Sequence, residues 1–322
     1  MRKTTPSENR LIFALIVMSL IGSAFFYDRR VEIQKVEAQQ KIEDRQQALF
    51  DTLSLGAKAV YVAPLHGAPL YAVNENTKLP LASLTKIMTA VAALDIAPSV
   101  FTITIPKKAL LEEGDNGLLV GEKWQLSTLI KFMLVVSSND AAKAISLNMD
   151  TLLKEGTEPW HGARSFVDGM NIRAKELGLV NMEFQNESGL DINTTESGSE
   201  GSASDFARLF AYGFEKYPEI FSATREEKIT VKSLNDVSHT VKNTDTLLAL
   251  DPDIVASKTG TTDLAGGNLA VIANIQGKDY VIVVLGSSIS GRFDDVETVL
   301  NALRKYLVPI SQTPALPLET VN

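Results

Sequence analysis

Hydrophobic and polar positions alternate at both ends of the chain and recur at helical spacing in its middle. Residues 57–64 alternate with the period of a strand, and 68–74 form a second arm beyond a turn at Gly67. Near the other end, residues 267–288 hold two apolar runs joined by Gly-Lys-Asp at 277–279, a strong hairpin signal. The pattern therefore predicts antiparallel strands from both ends of the chain.

Helices are predicted between these strands. The spacing of apolar residues indicates helices over 83–94, 127–136, 140–153, 164–179, 204–217 and 292–307, and short strands over 100–106, 228–232, 238–242 and 253–260. Asp140 is a candidate N-cap after the polar break at 137–140, and 185–203 is predicted to be a loop. This order predicts an α+β fold, in which one antiparallel sheet from both chain ends packs against a mostly helical subdomain.

The chain divides into five segments. They are a basic head (1–10), an apolar segment (11–27), a charged helical stalk (28–52), the main domain (53–307) and a loose tail with three prolines (308–322). The seventeen uncharged residues of the apolar segment are at the short end for a membrane-spanning helix, and the segment itself contains a small-residue cleavage site at 22–24. Span length favours an uncleaved anchor in the cell membrane over a signal peptide that is removed to give a secreted protein. Either interpretation places the main domain outside the cytoplasm.

Composition excludes several kinds of function. The 322 residues carry a net charge of −8, which argues against binding to nucleic acid. There is no cysteine, so thiol catalysis, zinc–thiolate sites and disulfides are excluded. The three histidines, at 66, 161 and 239, form no H-E-x-x-H motif. We therefore expect no metal, no cofactor and no nucleic-acid partner.

A serine and a lysine stand one helical turn apart in LASLTKIMTA, residues 81–90. Residues three apart on a helix are neighbours, so the Lys86 amine can lie beside the Ser83 hydroxyl. A serine nucleophile needs a base, and a lysine can serve if burial and a second cation lower its pKa. This requirement predicts a second lysine in the site, and Lys258 in ASKTGTT, residues 256–262, is the candidate. Alone, S-x-x-K is also typical of a solvated pair on an ordinary helix.

Three short motifs occur in a fixed order along the chain. They are S-x-x-K at a helix start (Ser83, Lys86), S-x-N between two helices (Ser137, Asn139) and K-T-G at a strand end (Lys258, Thr259, Gly260). Each is weak alone, but their order on these element types is a strong joint signal. With them, the chain resembles the penicillin-recognising serine acyltransferases, and most of all the low-molecular-mass D-alanyl-D-alanine carboxypeptidases. FQNESGLD, SASDFARL and SKTGTTDLAGGNLA extend the resemblance over about residues 55–307.

The resemblance implies a D,D-carboxypeptidase that removes the terminal D-alanine from peptidoglycan stem peptides and is inhibited by β-lactams. It implies catalytic roles for Ser83, Lys86, Ser137, Asn139 and Lys258, and substrate-binding roles for Thr259, Gly260, Thr261 and Arg292. In that scheme Ser83 is the nucleophile, Lys86 its base, and Ser137 the donor of a proton to the departing D-alanine. Asn139 positions Lys86. The backbone N–H groups of Ser83 and Thr261 form the oxyanion hole, and Arg292 helps to hold the terminal carboxylate.

Three alternatives remain open at the level of sequence. A serine β-lactamase would share the acylation step but would need a glutamate to activate water, for which Glu183 and Glu187 are the candidates. A D,D-endopeptidase would use the same machinery on cross-linked peptides. A non-catalytic, penicillin-binding-like scaffold would be expected to have lost a member of the motif set.

Overall fold

The computed structural model describes residues 48–114, 116–154, 160 and 163–307, together with 18, 25, 29–30, 32–37, 40 and 44. The predicted head and tail, and all of the apolar segment except Met18 and Phe25, lie outside the described residues. The described residues of the stalk up to Asp51 are helical. No helix in the described part of the chain is both long and apolar enough to cross a membrane. The chain separates into two compact units, 1–52 with 305–322 and 53–304, and the second unit contains the site.

The described residues from 53 to 307 form groups of strands and groups of helices. The strands are β1 (Ala59–Pro64), β2 (Tyr71–Val73), β3 (Leu79–Pro80), β4 (Thr102–Thr104), β5 (Lys123–Gln125), β6 (Glu183–Phe184), β7 (Ser199–Gly201), β8 (Lys228–Lys232), β9 (Ser238–Lys242), β10 (Ile254–Thr262), β11 (Gly266–Ile275) and β12 (Lys278–Ser287). The helices are α1 (Lys86–Ile96), α2 (Leu126–Val136), α3 (Asn139–Lys154), α4 (Phe166–Glu176), α5 (Ala203–Lys216), α6 (Pro218–Phe221) and α7 (Gly291–Leu307).

A five-stranded antiparallel sheet joins the two ends of this unit, in the order β10–β11–β12–β1–β2. β1 pairs with β12 along its length, with Ala59 opposite Leu285. Residues 281–285 of β12 are all buried, so both faces of this strand are covered. A continuous apolar run is typical of such a strand. The predicted sheet from both chain ends is confirmed, and β10 forms one of its edges.

The helix that carries the S-x-x-K lysine lies at the centre of the helical region. All eight residues of α1 from Lys86 to Ala93 are buried. α1 contacts α2, α3, α4 and α5, which explains why its sequence is mostly apolar on every side. Lys86 is therefore enclosed by protein rather than lying on a solvated surface.

Several predicted boundaries are wrong. The strand predicted over 100–106 pairs only at Thr102–Thr104, and the arm predicted over 68–74 pairs only at Tyr71–Val73. The predicted loop at 185–203 contains β7. Asp140 is not the N-cap of α3, because that helix already starts at Asn139. Ser138 caps it instead, since its Oγ accepts a hydrogen bond from the backbone N–H of Ala141 at 3.1 Å.

Candidate active site

The candidate nucleophile lies in a short helical turn, Ala82–Thr85, that leads directly into α1. Ala82 adopts a φ of 50°, in the left-handed region that costs a non-glycine residue about 1–3 kcal/mol. Just before Ala82, the carbonyls of Pro80 and Leu81 accept hydrogen bonds from the side-chain amide of Asn268, at 2.9 and 3.1 Å. Contacts from β11 therefore hold the backbone that presents Ser83 in a strained conformation.

The amine of Lys86 lies within hydrogen-bond distance of three oxygen atoms. Its Nζ lies 2.9 Å from Ser83 Oγ, 2.7 Å from Asn139 Oδ1 and 2.8 Å from the carbonyl oxygen of Ser188. The amide and backbone carbonyl oxygens can only accept hydrogen bonds, whereas a hydroxyl can also donate. A neutral amine, with two hydrogens and one lone pair, therefore donates to Asn139 and Ser188 and turns its lone pair towards Ser83. This is the arrangement that a general base for Ser83 requires.

Two lysines share the interior of the site, and both have lowered pKa values. Burial lowers the pKa of Lys86 from 10.5 to about 7, against the opposing effect of the Glu187 and Glu112 carboxylates. Burial also lowers the pKa of Lys258, and the positive charges of Lys86 and Arg292 lower it further. An uncharged lysine at neutral pH is therefore available beside Ser83.

Lys258 binds the middle motif. Its Nζ lies 2.8 Å from Ser137 Oγ and 2.7 Å from the carbonyl oxygen of Thr259. Ser137 ends α2 in the left-handed conformation, with a φ of 63°, which turns the chain between the two helices. Asn139 is held from its other side, since its Nδ2 donates to the carbonyl of Glu113 at 2.7 Å. The structure thus brings the five predicted catalytic residues into two linked clusters.

The predicted substrate-binding residues lie along the edge strand β10 and the first turn of α7. Arg292 Nη1 donates to the carbonyl oxygen of Gly260 at 2.8 Å and to Thr261 Oγ1. A Cβ on Gly260 would come within 3.2 Å of the Ser83 amide nitrogen. The hydroxyl of Thr259 is hydrogen-bonded to Thr244. β10 therefore runs directly beside the Ser83 turn, with a buried guanidinium at its end.

FQNESGLD belongs to the sequence resemblance, but Asn186 and Ser188 within it were assigned no role in the site, and the structure places their loop against Lys86. Asn186 Oδ1 accepts hydrogen bonds from the backbone N–H groups of Gly189 at 2.7 Å and Ser188 at 3.2 Å. This turn presents the Ser188 carbonyl to Lys86. The available signal was the side chain of Asn186 followed three residues later by glycine, a pattern typical of a tight turn. The buried Asp245, whose charge acts on both Lys258 and Arg292, was also missed.

Replacing Gly189 with alanine is expected to disrupt the site. Gly189 has a φ of +80°, and a Cβ there would overlap the carbonyl oxygen of Ala82, next to the nucleophile. We expect a loss of about 3 kcal/mol in unfolding free energy, measured by denaturant titration. Gly178 is the matched control, because it has a φ of +69° but open space around its Cβ position. Gly178→Ala should cost only about 1 kcal/mol, and equal losses in the two variants would contradict this account.

The residues that the structure describes include no group of three or more acidic or histidine side chains placed to hold a metal ion.

The chain is similar in sequence and in fold to known proteins. Residues 55–289 match the family model of peptidase S11, D-alanyl-D-alanine carboxypeptidase. The D-alanyl-D-alanine carboxypeptidase DacF of Bacillus subtilis is 32% identical over 236 residues, covering 71% of this chain and 57% of that protein. A D-alanyl-D-alanine endopeptidase of Pseudomonas aeruginosa is 27% identical over 225 residues, 68% of this chain and 67% of that protein. The crystal structure of penicillin-binding protein D2 from Listeria monocytogenes, in its ampicillin-bound form, is similar with a TM-score of 0.62 at 25% identity, over 78% of this chain and 98% of the other.

The sheet, the central helix and the serine–lysine pair define a protein of the penicillin-binding fold. The family match covers most of the chain and includes all three motifs. The chain belongs to the peptidase S11 family of D-alanyl-D-alanine carboxypeptidases. It spans 57% of the length of the Bacillus subtilis relative.

Proposed function

We propose that this chain is a D,D-carboxypeptidase that removes the terminal D-alanine of peptidoglycan stem peptides through an acyl-enzyme on Ser83. The observation that carries this proposal is the 2.9 Å contact between Lys86 Nζ and Ser83 Oγ, beside two oxygen atoms that can only accept hydrogen bonds, at 2.7 and 2.8 Å. Membership of the carboxypeptidase family supports the choice of substrate.

In the proposed acylation step, Ser83 Oγ attacks the carbonyl carbon between the two terminal D-alanines. The hydroxyl proton passes to neutral Lys86, and the negative oxygen is stabilised by the backbone N–H groups of Ser83 and Thr261. When the C–N bond breaks, Ser137 donates a proton to the departing amine and is resupplied through the two lysines. Water then attacks the ester, and Ser83 regains its proton as the shortened peptide leaves.

The edge of the sheet supports recognition of a chain end. β10 has no neighbour on its outer side within the five-stranded sheet, so backbone groups there can bind an extended peptide. Arg292 is 7% exposed and is positioned against Gly260 and Thr261. A guanidinium and two threonine hydroxyls suit a terminal carboxylate, which a β-lactam also carries. This explains how one site would accept both the peptide and the inhibitor.

The geometry of the two candidate glutamates weighs against the β-lactamase alternative. Glu187 is almost fully buried, and its Oε1 lies 3.0 Å from Lys143 Nζ. Glu183 is more than half exposed and pairs with Lys78 at 3.4 Å. Both carboxylates are occupied by lysines rather than held ready to activate water. The endopeptidase alternative is supported by the similarity to the Pseudomonas aeruginosa protein, so cross-linked substrate belongs in the test.

The test is the intact mass of the full chain after benzylpenicillin is added, together with D-alanine release from a stem-peptide mimic. We expect an adduct of one penicillin that persists for minutes, and release of D-alanine. Rapid destruction of penicillin without a lasting adduct would indicate a β-lactamase instead. Cleavage of a cross-linked dimer without D-alanine release would indicate an endopeptidase. The absence of both a penicillin adduct and any turnover would favour the non-catalytic scaffold.

A further inference from the structure

A second group of charged side chains lies close to Lys86 but has no role in the chemistry above. Lys143 Nζ is 3.0 Å from Glu187 Oε1 and 3.6 Å from Glu112 Oε1. The side chain of Glu187 is 4% exposed and that of Lys143 is 24% exposed. Removing an ion pair from water costs about as much as its attraction returns, so stability alone is a poor reason for placing one here.

The ion pair closes a ring of contacts around Lys86. Asn139 and Lys143 are four residues apart on α3, so they project from the same side of the helix. Asn139 binds Lys86 directly, while Lys143 binds Glu187. The residue after Glu187 is Ser188, whose carbonyl is the other acceptor for Lys86. Both acceptors of the base are thus connected through the ion pair.

Two further hydrogen bonds fix the ring to its surroundings. Thr89, one turn beyond Lys86 on α1, donates from Oγ1 to the carbonyl oxygen of Glu187 at 2.6 Å. The carbonyl of Glu113 accepts from Asn139 Nδ2, next to the Glu112 that faces Lys143. Three segments therefore lie around Lys86: α3, the chain at 112–113 and the loop at 186–189. The Lys143–Glu187 ion pair connects α3 to that loop.

We propose that the Lys143–Glu187 ion pair positions the general base, by holding the Asn139 amide and the Ser188 carbonyl against Lys86 Nζ and by setting the local charge. This inference rests on the proposed role of Lys86 in acylation. Lys143 and Glu187 are positioning residues, since they act through Lys86 and its two acceptors.

By Coulomb's law, the two opposite charges of the pair should act on Lys86 in opposite directions. The Glu187 carboxylate raises the pKa of Lys86, and Lys143 neutralises much of that charge. Removing the carboxylate should therefore lower the pKa of Lys86, and removing the ammonium should raise it. Glu112 and Lys258 also face this region and are unchanged in both variants.

The experiment measures the second-order rate constant for acylation of the full chain by benzylpenicillin across a range of pH. Relative to wild type, the midpoint of the rising limb should move down by about 0.5 pH unit or more in Glu187→Gln and up by about as much in Lys143→Met. The double variant leaves no unpaired buried charge at this pair. Its midpoint should stay near wild type while its rate constant falls about tenfold, because the acceptors of Lys86 are held less firmly.

The ion pair Lys78–Glu183 supplies matched controls. It is also a lysine–glutamate pair, but its side chains are 42% and 56% exposed to solvent. Lys78→Met and Glu183→Gln should leave both midpoint and rate unchanged, and Lys143→Arg should restore the wild-type midpoint. The positioning role would be overturned if every variant were acylated with the same pH midpoint as wild type and the double variant kept the wild-type rate constant. The proposed function of Lys86 would survive that result. A wild-type chain that is not acylated at any pH would overturn the proposed function and this inference with it.

Discussion

Replacing Ser83 with alanine is expected to abolish the penicillin adduct and to reduce D-alanine release by about 10³-fold or more. The substitution removes the only side-chain oxygen that the mechanism uses as a nucleophile, while Lys86 keeps its contacts with Asn139 and Ser188. Intact-mass spectrometry measures the adduct, and an amino-acid assay of the stem-peptide reaction measures turnover.

The folded structure should survive this substitution. Ser83 Oγ contacts Lys86, and the turn around it is held by the Asn268 side chain instead. Ser165→Ala is a suitable control, because the Ser165 hydroxyl caps α4 by accepting a hydrogen bond from the Asp168 N–H at 3.1 Å. That variant should lose about 1 kcal/mol of unfolding free energy and keep the adduct. An undiminished adduct in Ser83→Ala would identify a different nucleophile.

Replacing Lys86 with methionine is expected to slow acylation by about 10²–10⁴-fold. Methionine fills similar space but cannot take the proton of Ser83. The pH profile gives a second, independent readout. Since the pKa of Lys86 is lowered to about 7, its neutral form accumulates as pH rises through about 7. The wild-type acylation rate should therefore rise across that range and level off above it, and the rising limb should be absent from Lys86→Met.

The control for this variant is Lys123→Met, which removes an exposed lysine from β5. Its rate and pH profile should match those of the wild type. If Lys86→Met kept both the rate and the rising limb, the base would have to be sought at the Lys258–Ser137 pair, whose Nζ and Oγ are 2.8 Å apart.

Most of the central sheet could be predicted from sequence because β1, β10, β11 and β12 are 6, 9, 10 and 10 residues long and carry a clear apolar pattern. The two runs of residues 267–288 become β11 and β12 with the predicted turn between them. Strands of two or three residues, such as β3, β6 and β7, carry no periodic signal of their own. Their backbone pairing is determined by distant parts of the chain, Leu79 with Gly201 for example, so local pattern cannot reveal them.

The candidate site divides in the same way. The closeness of Ser83 and Lys86 follows from helical spacing alone. Lys258 was a candidate because a lysine base needs a second cation nearby, but its contact with Ser137 joins distant segments and no local pattern reveals it. Ser188 was missed because it contributes a backbone carbonyl, which every residue type possesses. Asp140 was assigned as a cap because its residue type suits that position, but the left-handed Ser137 ends α2 so that Ser138 takes the role.

The sheet that joins both ends of the domain has a consequence for biosynthesis. Ser83 and Lys86 are translated early, but Lys258 lies on β10, which reaches β1 only through β11 and β12. A nascent chain that has not yet released these strands from the ribosome possesses the nucleophile without the second lysine or the peptide-binding edge. Pairings between such distant segments form late and slowly during folding. The Ser83–Lys86 pair and the Lys258 strand therefore come together only after residues 254–287 have been synthesised, and an interrupted chain would lack the complete candidate site.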